Sequence, residues 1–337
     1  MLKQENAQQK FYDDLLERLV PENHVYRKLS SLIDFTPLLT PFESCYSKMG
    51  AGSEPLTRGF KGLLLQFWED LSDRQLEKYL QENITAKWFC GYSLEEHTPD
   101  HSYYGRLRKR IGVEQLRKLF NTITESIKTA GYVGGAFTFV DASSMVAKVN
   151  IWKARDKAIS DKKNEEKDDD DNPKMNNKNV WDYSPDPDAR YGCKGKNKFW
   201  LGYKRHHQVD MSQGIITDVK VTGADVTDAQ AFVEEGLCPE SGMVFLDKGY
   251  DSDAVDVEIK EKGCADGTIR KKNRKFKNRD LDRWRSSVRM PYESTFSKIR
   301  KLCRYKGKEK VEFQALMEAT VQNLKRMISI GAPSLNF

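Results

Sequence analysis

The sequence predicts an α/β protein in which an all-α N-terminal domain precedes a mixed five-stranded sheet flanked by helices. Three observations carry this. Apolar residues recur at helical spacing through residues 1–128. After Tyr132 the pattern changes to short β-branched and aromatic runs. The first of these runs are joined by hairpin-type links and the later ones by helical segments, which gives antiparallel pairs first and parallel pairs afterwards. A chain of 337 residues is long enough for two cores.

In the N-terminal part, "TRGFKGLLLQFWEDL" places Phe60, Leu63, Leu64, Phe67, Trp68 and Leu71 on one helical stripe. Ser72, with Gln75 three residues on, has the capping-box pattern that starts a new helix. A basic helix is expected to enter through Pro99–Asp100, with Tyr103, Tyr104 and Leu107 packing inward. The next carries Leu116, Leu119, Phe120 and Ile123 and stops at Gly131. A catalytic domain is then expected over 129–337. Its strands are "GAFTFVDASSMVA", reaching Asp141, the hairpin "KFWLGYKRHHQVD" and "GIITDVKVTG", then "GMVFLDKGY" and "CADGTIR". Residues 153–197 are poor in apolar side chains and read as a charged, flexible insert. Long helices are expected near 280–305 and 310–330.

Charged residues make up 31% of the chain, and the formal net charge is +6, which favours a polyanionic partner without requiring one. No apolar run approaches the ~20 residues of a membrane span, and the opening residues are polar rather than signal-like. The six cysteines form no CxxC pair, which argues against a zinc ribbon and points to reduced thiols in a cytoplasm.

Two carboxylates stand at strand ends, Asp141 and Asp247, each preceded by apolar residues that stiffen its mount. Gly249 lets the chain turn away beside Asp247. Two close carboxylates repel unless a cation lies between them, and Mg²⁺ prefers such oxygen donors. Glu293 is a third candidate, on a helix with Arg289 one turn before and Arg300 two turns after. Asp228 competes with Asp247, but a place on the first turn of a helix makes capping or dipole stabilisation its expected work. His206 and His207 are neighbours on a strand and face opposite ways, so one at most reaches the site edge.

In the order "FTFVDASS", "YKRHHQVDMSQGIITDVKVTGADVTDAQAF", "FLDKGYDS" and "RMPYESTFSKIRK", preceded by the helical block "FKGLLLQFWEDLSDRQLEKYL", the chain resembles the DDE transposases of bacterial insertion sequences of the insertion-sequence-five type. The resemblance spans roughly residues 55–330. It implies a ribonuclease-H-like catalytic core, Asp141, Asp247 and Glu293 as catalytic metal ligands, and two Mg²⁺ ions with Mn²⁺ able to substitute. Arg289 matches the motif's arginine; the motif's lysine is Arg300 here and its tyrosine is Ser286. The implied reaction is metal-dependent hydrolysis at the element's ends, followed by joining of the freed 3′-OH to target DNA. The implied partners are double-stranded DNA and a second copy of the chain, in the nucleoid of a bacterial cytoplasm, with no membrane. A transposon-derived DNA-binding protein without catalysis, or a metal-dependent nuclease without strand transfer, would share many of these features.

Phosphate contacts are expected from Arg289, Arg300 and Lys248, and from Arg270, Lys271, Lys272, Arg274 and Lys275 in the basic run before the Glu293 helix. Phe276 could stack on an unpaired base. Arg106, Arg108, Lys109 and Arg110 of the helical domain are expected to contact the terminal repeats.

Overall fold

A computed structural model describes residues 11–46, 52–149, 184–194, 198–274, 277–297 and 299–337. Side chains of 11–14 and 293–297 lie outside this description, as do Lys275, Phe276 and most of the charged insert. The chain forms two compact units, Met1–Val133 with Leu316–Phe337, and Gly134–Ala315. The C-terminal segment, expected in the catalytic domain, thus packs with the N-terminal helices.

The first unit contains α1 (Phe11–Leu19), α2 (Val25–Leu32), α3 (Thr36–Leu39), α4 (Leu56–Trp68), α5 (Asp73–Glu82), α6 (Ile84–Cys90) and α7 (His101–Thr129). The predicted stripe of α4 is buried, with Phe60, Leu63 and Leu64 fully enclosed. Ser72 and Gln75 form the reciprocal capping box at the start of α5. Asp100 caps α7 by accepting from the Tyr103 amide at 2.9 Å. The two helices expected over 100–131 are continuous apart from a break at Gly112, whose φ of 69° and ψ of 173° lie outside the helical range. Tyr104 and Leu107 are buried before the break, and Leu116, Phe120 and Ile123 after it.

Among the described residues the second unit holds six strands: β1 (Phe137–Val146), β2 (Arg190–Lys194), β3 (Lys198–Asp210), β4 (Ile215–Gly223), β5 (Met243–Leu246) and β6 (Ala265–Thr268). The sheet order is β2-β3-β1-β5-β6, with β4 also paired to β3. β1 runs antiparallel to β3 and parallel to β5, and β5 is parallel to β6. This is the predicted mixed sheet, antiparallel first and parallel later. It has one strand more than expected, because β2 forms at the end of the segment read as an insert. Its few residues show no alternation of their own and gain their ladder from β3.

Helices cover both faces. α8 (Asp228–Glu234) and α9 (Asp253–Glu261) pack on one side, where Val140, Phe232, Leu237, Val244, Leu246, Tyr250, Val255 and Ile259 form a buried cluster. α10 (Arg279–Ser297) lies on the other, with Trp284 against Phe245 at 5.8 Å between ring centres. Alternation along β1 and β5 explains the division: Val140 and Val244 point one way, Phe139 and Phe245 the other. α10 stops at Ser297, so Arg300 is not on the Glu293 helix, as the sequence suggested. The last helix, α11, spans Lys308–Ser329.

Where β1 and β3 pair, Gly202 sits opposite Val146 with φ of 153°. A Cβ there would collide with the Met145 carbonyl oxygen, and backbone cannot rotate aside as a side chain can. Gly202→Ala is therefore expected to destabilise the second unit by about 3 kcal/mol, as overpacking against a rigid neighbour does. A lower urea midpoint with an unchanged m-value would register it.

Candidate active site

The parallel pairing of β1 and β5 assembles the site. Phe139 stands opposite Phe245. Two residues further along are Asp141, within β1, and Asp247, just past the end of β5, and the period of two puts both on the same side as those phenylalanines. β1 does not end at Asp141, as expected, but continues to Val146 in register with β3, so Asp141 is gripped within the sheet. Asp247 directly follows β5 and caps a short turn by accepting from the Gly249 amide at 2.6 Å.

Both carboxylates line one cleft of about 280 Å³, together with Asp228, Lys204, Trp200, Lys301 and the Ala142–Ser144 segment. Burial, then the neighbouring Asp247 charge, pushes the Asp141 carboxyl up to about 7. Asp228 adds to this, while the Ala142 amide and the Arg289 guanidinium oppose it. Arg289 is buried and lies 4.9 Å from the Phe139 ring centre, so one arginine both covers the sheet and offsets acidic charge.

Asp228 was expected to cap α8 or to complement its dipole, and it does lie in the first turn, but it is not the cap. Thr227 takes that place, accepting from the Gln230 amide at 3.2 Å. The Asp228 carboxylate turns to Lys204, 2.8 Å away. Its approach to Asp247 explains Gly249: a Cβ there would lie 2.9 Å from Asp247 Oδ1 and 3.2 Å from Asp228 Oδ2. The helical pattern around residue 228 carried no signal of this, because the partner comes from β3.

Asp141, Asp228 and Asp247 line the same cleft, and carboxylate oxygens are the donors that a hard divalent cation prefers. Among the described residues, no group of three or more His, Cys, Asp or Glu side chains is placed to hold a metal ion. Glu293 lies in α10, with its side chain outside the described residues.

The other predicted positions separate. Lys248 and Lys272 are exposed. Arg270 pairs with Asp251 at 2.9 Å, with Asp256 at 2.7 Å and with Asp266. Arg274 meets Asp251 at 3.1 Å, Asp253 at 2.7 Å and Asp256 at 3.3 Å. Lys271 donates to Asp251 through its amide and its ammonium. Burial works against charge on Asp251, but the Lys271 amide and the two guanidiniums outweigh it and hold the carboxyl below its usual range. Within the basic run, Arg270 and Arg274 are thus engaged by aspartates, whereas Lys272 is exposed and Lys275 lies outside the described residues. In the first unit, Arg108 is engaged by Asp73 at 2.6 Å and Arg110 lies over the Tyr46 ring at 4.3 Å. Arg106 and Lys109 are exposed.

His206 does not reach the cleft edge. Both histidines are fully buried, and the His206 Nε2 shares a 2.9 Å hydrogen bond with Thr222. Burial lowers His206 to about 4 and His207 well below its ordinary value. Both rings are neutral in the folded chain, whereas the unfolded chain takes up protons near pH 6.5. Their contribution to stability is complete above that pH and is lost as pH falls towards 4. For His206 the loss is on the order of 3 kcal/mol. Unfolding of His206→Gln and the parent, followed from pH 7 to about 4, is expected to show a shallower acid loss in the variant.

Residues 139–324 match the family described as the Transposase DDE domain, and residues 14–110 match the Transposase domain (DUF772). Among solved structures, the chain is similar to the piggyBac transposase in its synaptic complex with hairpin DNA: 9% identity, 97% of this chain and 78% of that chain covered, TM-score 0.42. It is also similar to the Mos1 transposase of a paired-end complex with the left transposon end: 9% identity, 85% and 82% covered, TM-score 0.21. No described helix is long and apolar enough to cross a membrane. With more than half its length matched by the catalytic-domain family alone, the chain belongs to the DDE transposases.

Proposed function

We propose that this transposase binds the inverted repeats of its own element, cleaves the DNA at the element ends and joins the freed 3′-OH to target DNA. The observation that carries this is the convergence of Asp141 and Asp247 at one cleft, set by the β1–β5 register. Asp141, Asp247 and Glu293 are the proposed ligands of two Mg²⁺ ions, or Mn²⁺ in their place. Position 293 is one helical turn beyond Arg289 on α10, and Arg289 is close enough to Asp141 to influence its protonation. Bound there, the ions would activate the attacking oxygen and stabilise the leaving one.

The chain's own residues do the rest. The strands hold Asp141 and Asp247 in place before DNA arrives, so little reorganisation is needed at the moment of reaction. Arg289 keeps acidic charge at the cleft partly compensated. A water molecule attacks the phosphodiester at the element end and releases a 3′-OH, which then attacks a phosphate of the target. No covalent link between protein and DNA is required. Lys248, Lys272, Lys275 and Arg300 are proposed backbone contacts. Arg270 and Arg274 could join them by exchanging aspartate partners for phosphate, and Lys271 by leaving the Asp251 carbonyl. Arg106, Lys109 and Arg110, with Arg108 as support, are proposed to contact the terminal repeats. Two element ends must be held together, so a homodimer is proposed on DNA.

The test is a cleavage and strand-transfer assay on DNA from the flanks of the gene, with and without Mg²⁺. Asp247→Ala is expected to lower both reactions by at least about a hundredfold, since even outer-shell metal partners cost about 10–100-fold, while end binding persists. Cutting that survives in Asp247→Ala would refute the assignment, and cutting without joining would reduce the chain to a nuclease.

A further inference from the structure

Lys204 was not among the expected site residues, yet its ammonium stands in the wall of the cleft that holds Asp141 and Asp247. It projects from β3, where Lys204 pairs with Ser144 of β1. The ammonium is fixed from two directions, donating to Asp228 Oδ1 at 2.8 Å and to the Val226 carbonyl at 2.7 Å. The side chain is only 15% exposed. An ammonium has three N–H donors. Two are used, and the third has no acceptor among the described residues.

This is a different situation from that of Arg270 and Arg274, whose aspartate partners crowd around them. Lys204 has one carboxylate, one neutral carbonyl and an open cleft. The two bonds restrict the rotamers of a side chain that would otherwise lose considerable freedom on binding. A phosphate oxygen reaching this cleft would meet a cation already in place. We propose that Lys204 is a phosphate-positioning residue of the reaction, giving its remaining N–H to a non-bridging oxygen of the DNA phosphate that is cut, with Asp228 and the Val226 carbonyl as its mount.

The inference rests on the proposed transposase reaction, and its test separates the two. Binding of an element-end duplex is measured across a range of KCl for the parent, Lys204→Met and Lys204→Arg. The same duplex is also made with one uncharged methylphosphonate at the cleaved position. Loss of one phosphate contact lowers the slope of log K against log salt by about 0.9. Lys204→Met is expected to show that decrease, with roughly tenfold weaker binding at low salt, whereas Lys204→Arg keeps the parental slope. The methylphosphonate is expected to weaken the parent equally and to have no further effect on Lys204→Met.

A merely structural lysine would leave the salt slope unchanged and make the two losses add. Either result overturns the inference while leaving the transposase reading intact. A parent protein that fails to distinguish element-end DNA from unrelated duplex would instead defeat that reading, and the inference with it. If Lys204→Met loses its cooperative unfolding transition, Lys204→Gln takes its place. The methylphosphonate comparison between the parent and Lys204→Arg requires no destabilised variant: equal weakening supports a charge contact, and no weakening in either overturns it.

Discussion

The parallel register between β1 and β5 is the constraint on which the site depends. With Phe139 opposite Phe245, a period of two brings Asp141 and Asp247 level on neighbouring strands. Adjacent strands are about 4.8 Å apart, close enough for one carboxylate to raise the proton affinity of the other. A slip of one residue would turn either aspartate to the opposite face. The register is defended from both sides of the sheet. Val140, Val244 and Leu246 are buried beneath α8 and α9, while Phe139 and Phe245 meet Arg289 and Trp284 of α10. Apolar packing therefore fixes a geometry that electrostatics alone would oppose.

Charge is distributed unevenly across the second unit. At the cleft, burial first and the neighbouring Asp247 carboxylate second push the Asp141 carboxyl up to about 7. A few residues along the chain from Asp247 the carboxylates have direct partners: Arg270 and Arg274 are shared among Asp251, Asp253, Asp256 and Asp266. That network ties the end of β6 to α9 and to the turn after β5, which helps hold the backbone behind Asp247. A basic run in a DNA-acting protein can thus serve the fold first. Lys204 stands between these extremes, with one carboxylate beside it and an open cleft in front.

Much of this was readable from residues alone, and the reason is locality. The stripe of α4, the capping box of α5, the hairpin of β3 and β4, and the alternation of β1 and β5 each depend on neighbours within a few positions. Asp141 and Asp247 were legible because an apolar run delivering a carboxylate to a turn is a local anomaly. What escaped was non-local. β2 is a strand only because β3 lies beside it. Asp228 has ordinary first-turn chemistry until Lys204 arrives from β3, 24 residues away in sequence. Arg300 falls off the Glu293 helix because α10 ends at Ser297, although charge periodicity continued past that point. The ion pairs of Arg270 and Arg274 were hidden because a run of cations looks the same whether its partners are aspartates or phosphates.

The apolar floor beneath the acids links stability to chemistry. Tyr250, three residues after Asp247, is fully buried in the same cluster as Val140, Leu246 and Phe232. Burial, reinforced by the charges of Asp141, Asp228 and Asp247, raises its hydroxyl well above its ordinary value, so it remains a neutral phenol. Such a floor cannot solvate the carboxylates from below, and their repulsion is felt more strongly than it would be in water. The same lack of screening strengthens their attraction for a cation. The packing that makes the grouping of these carboxylates electrostatically unfavourable would also favour a positive charge beside them, and replacing the floor with polar residues would weaken both together.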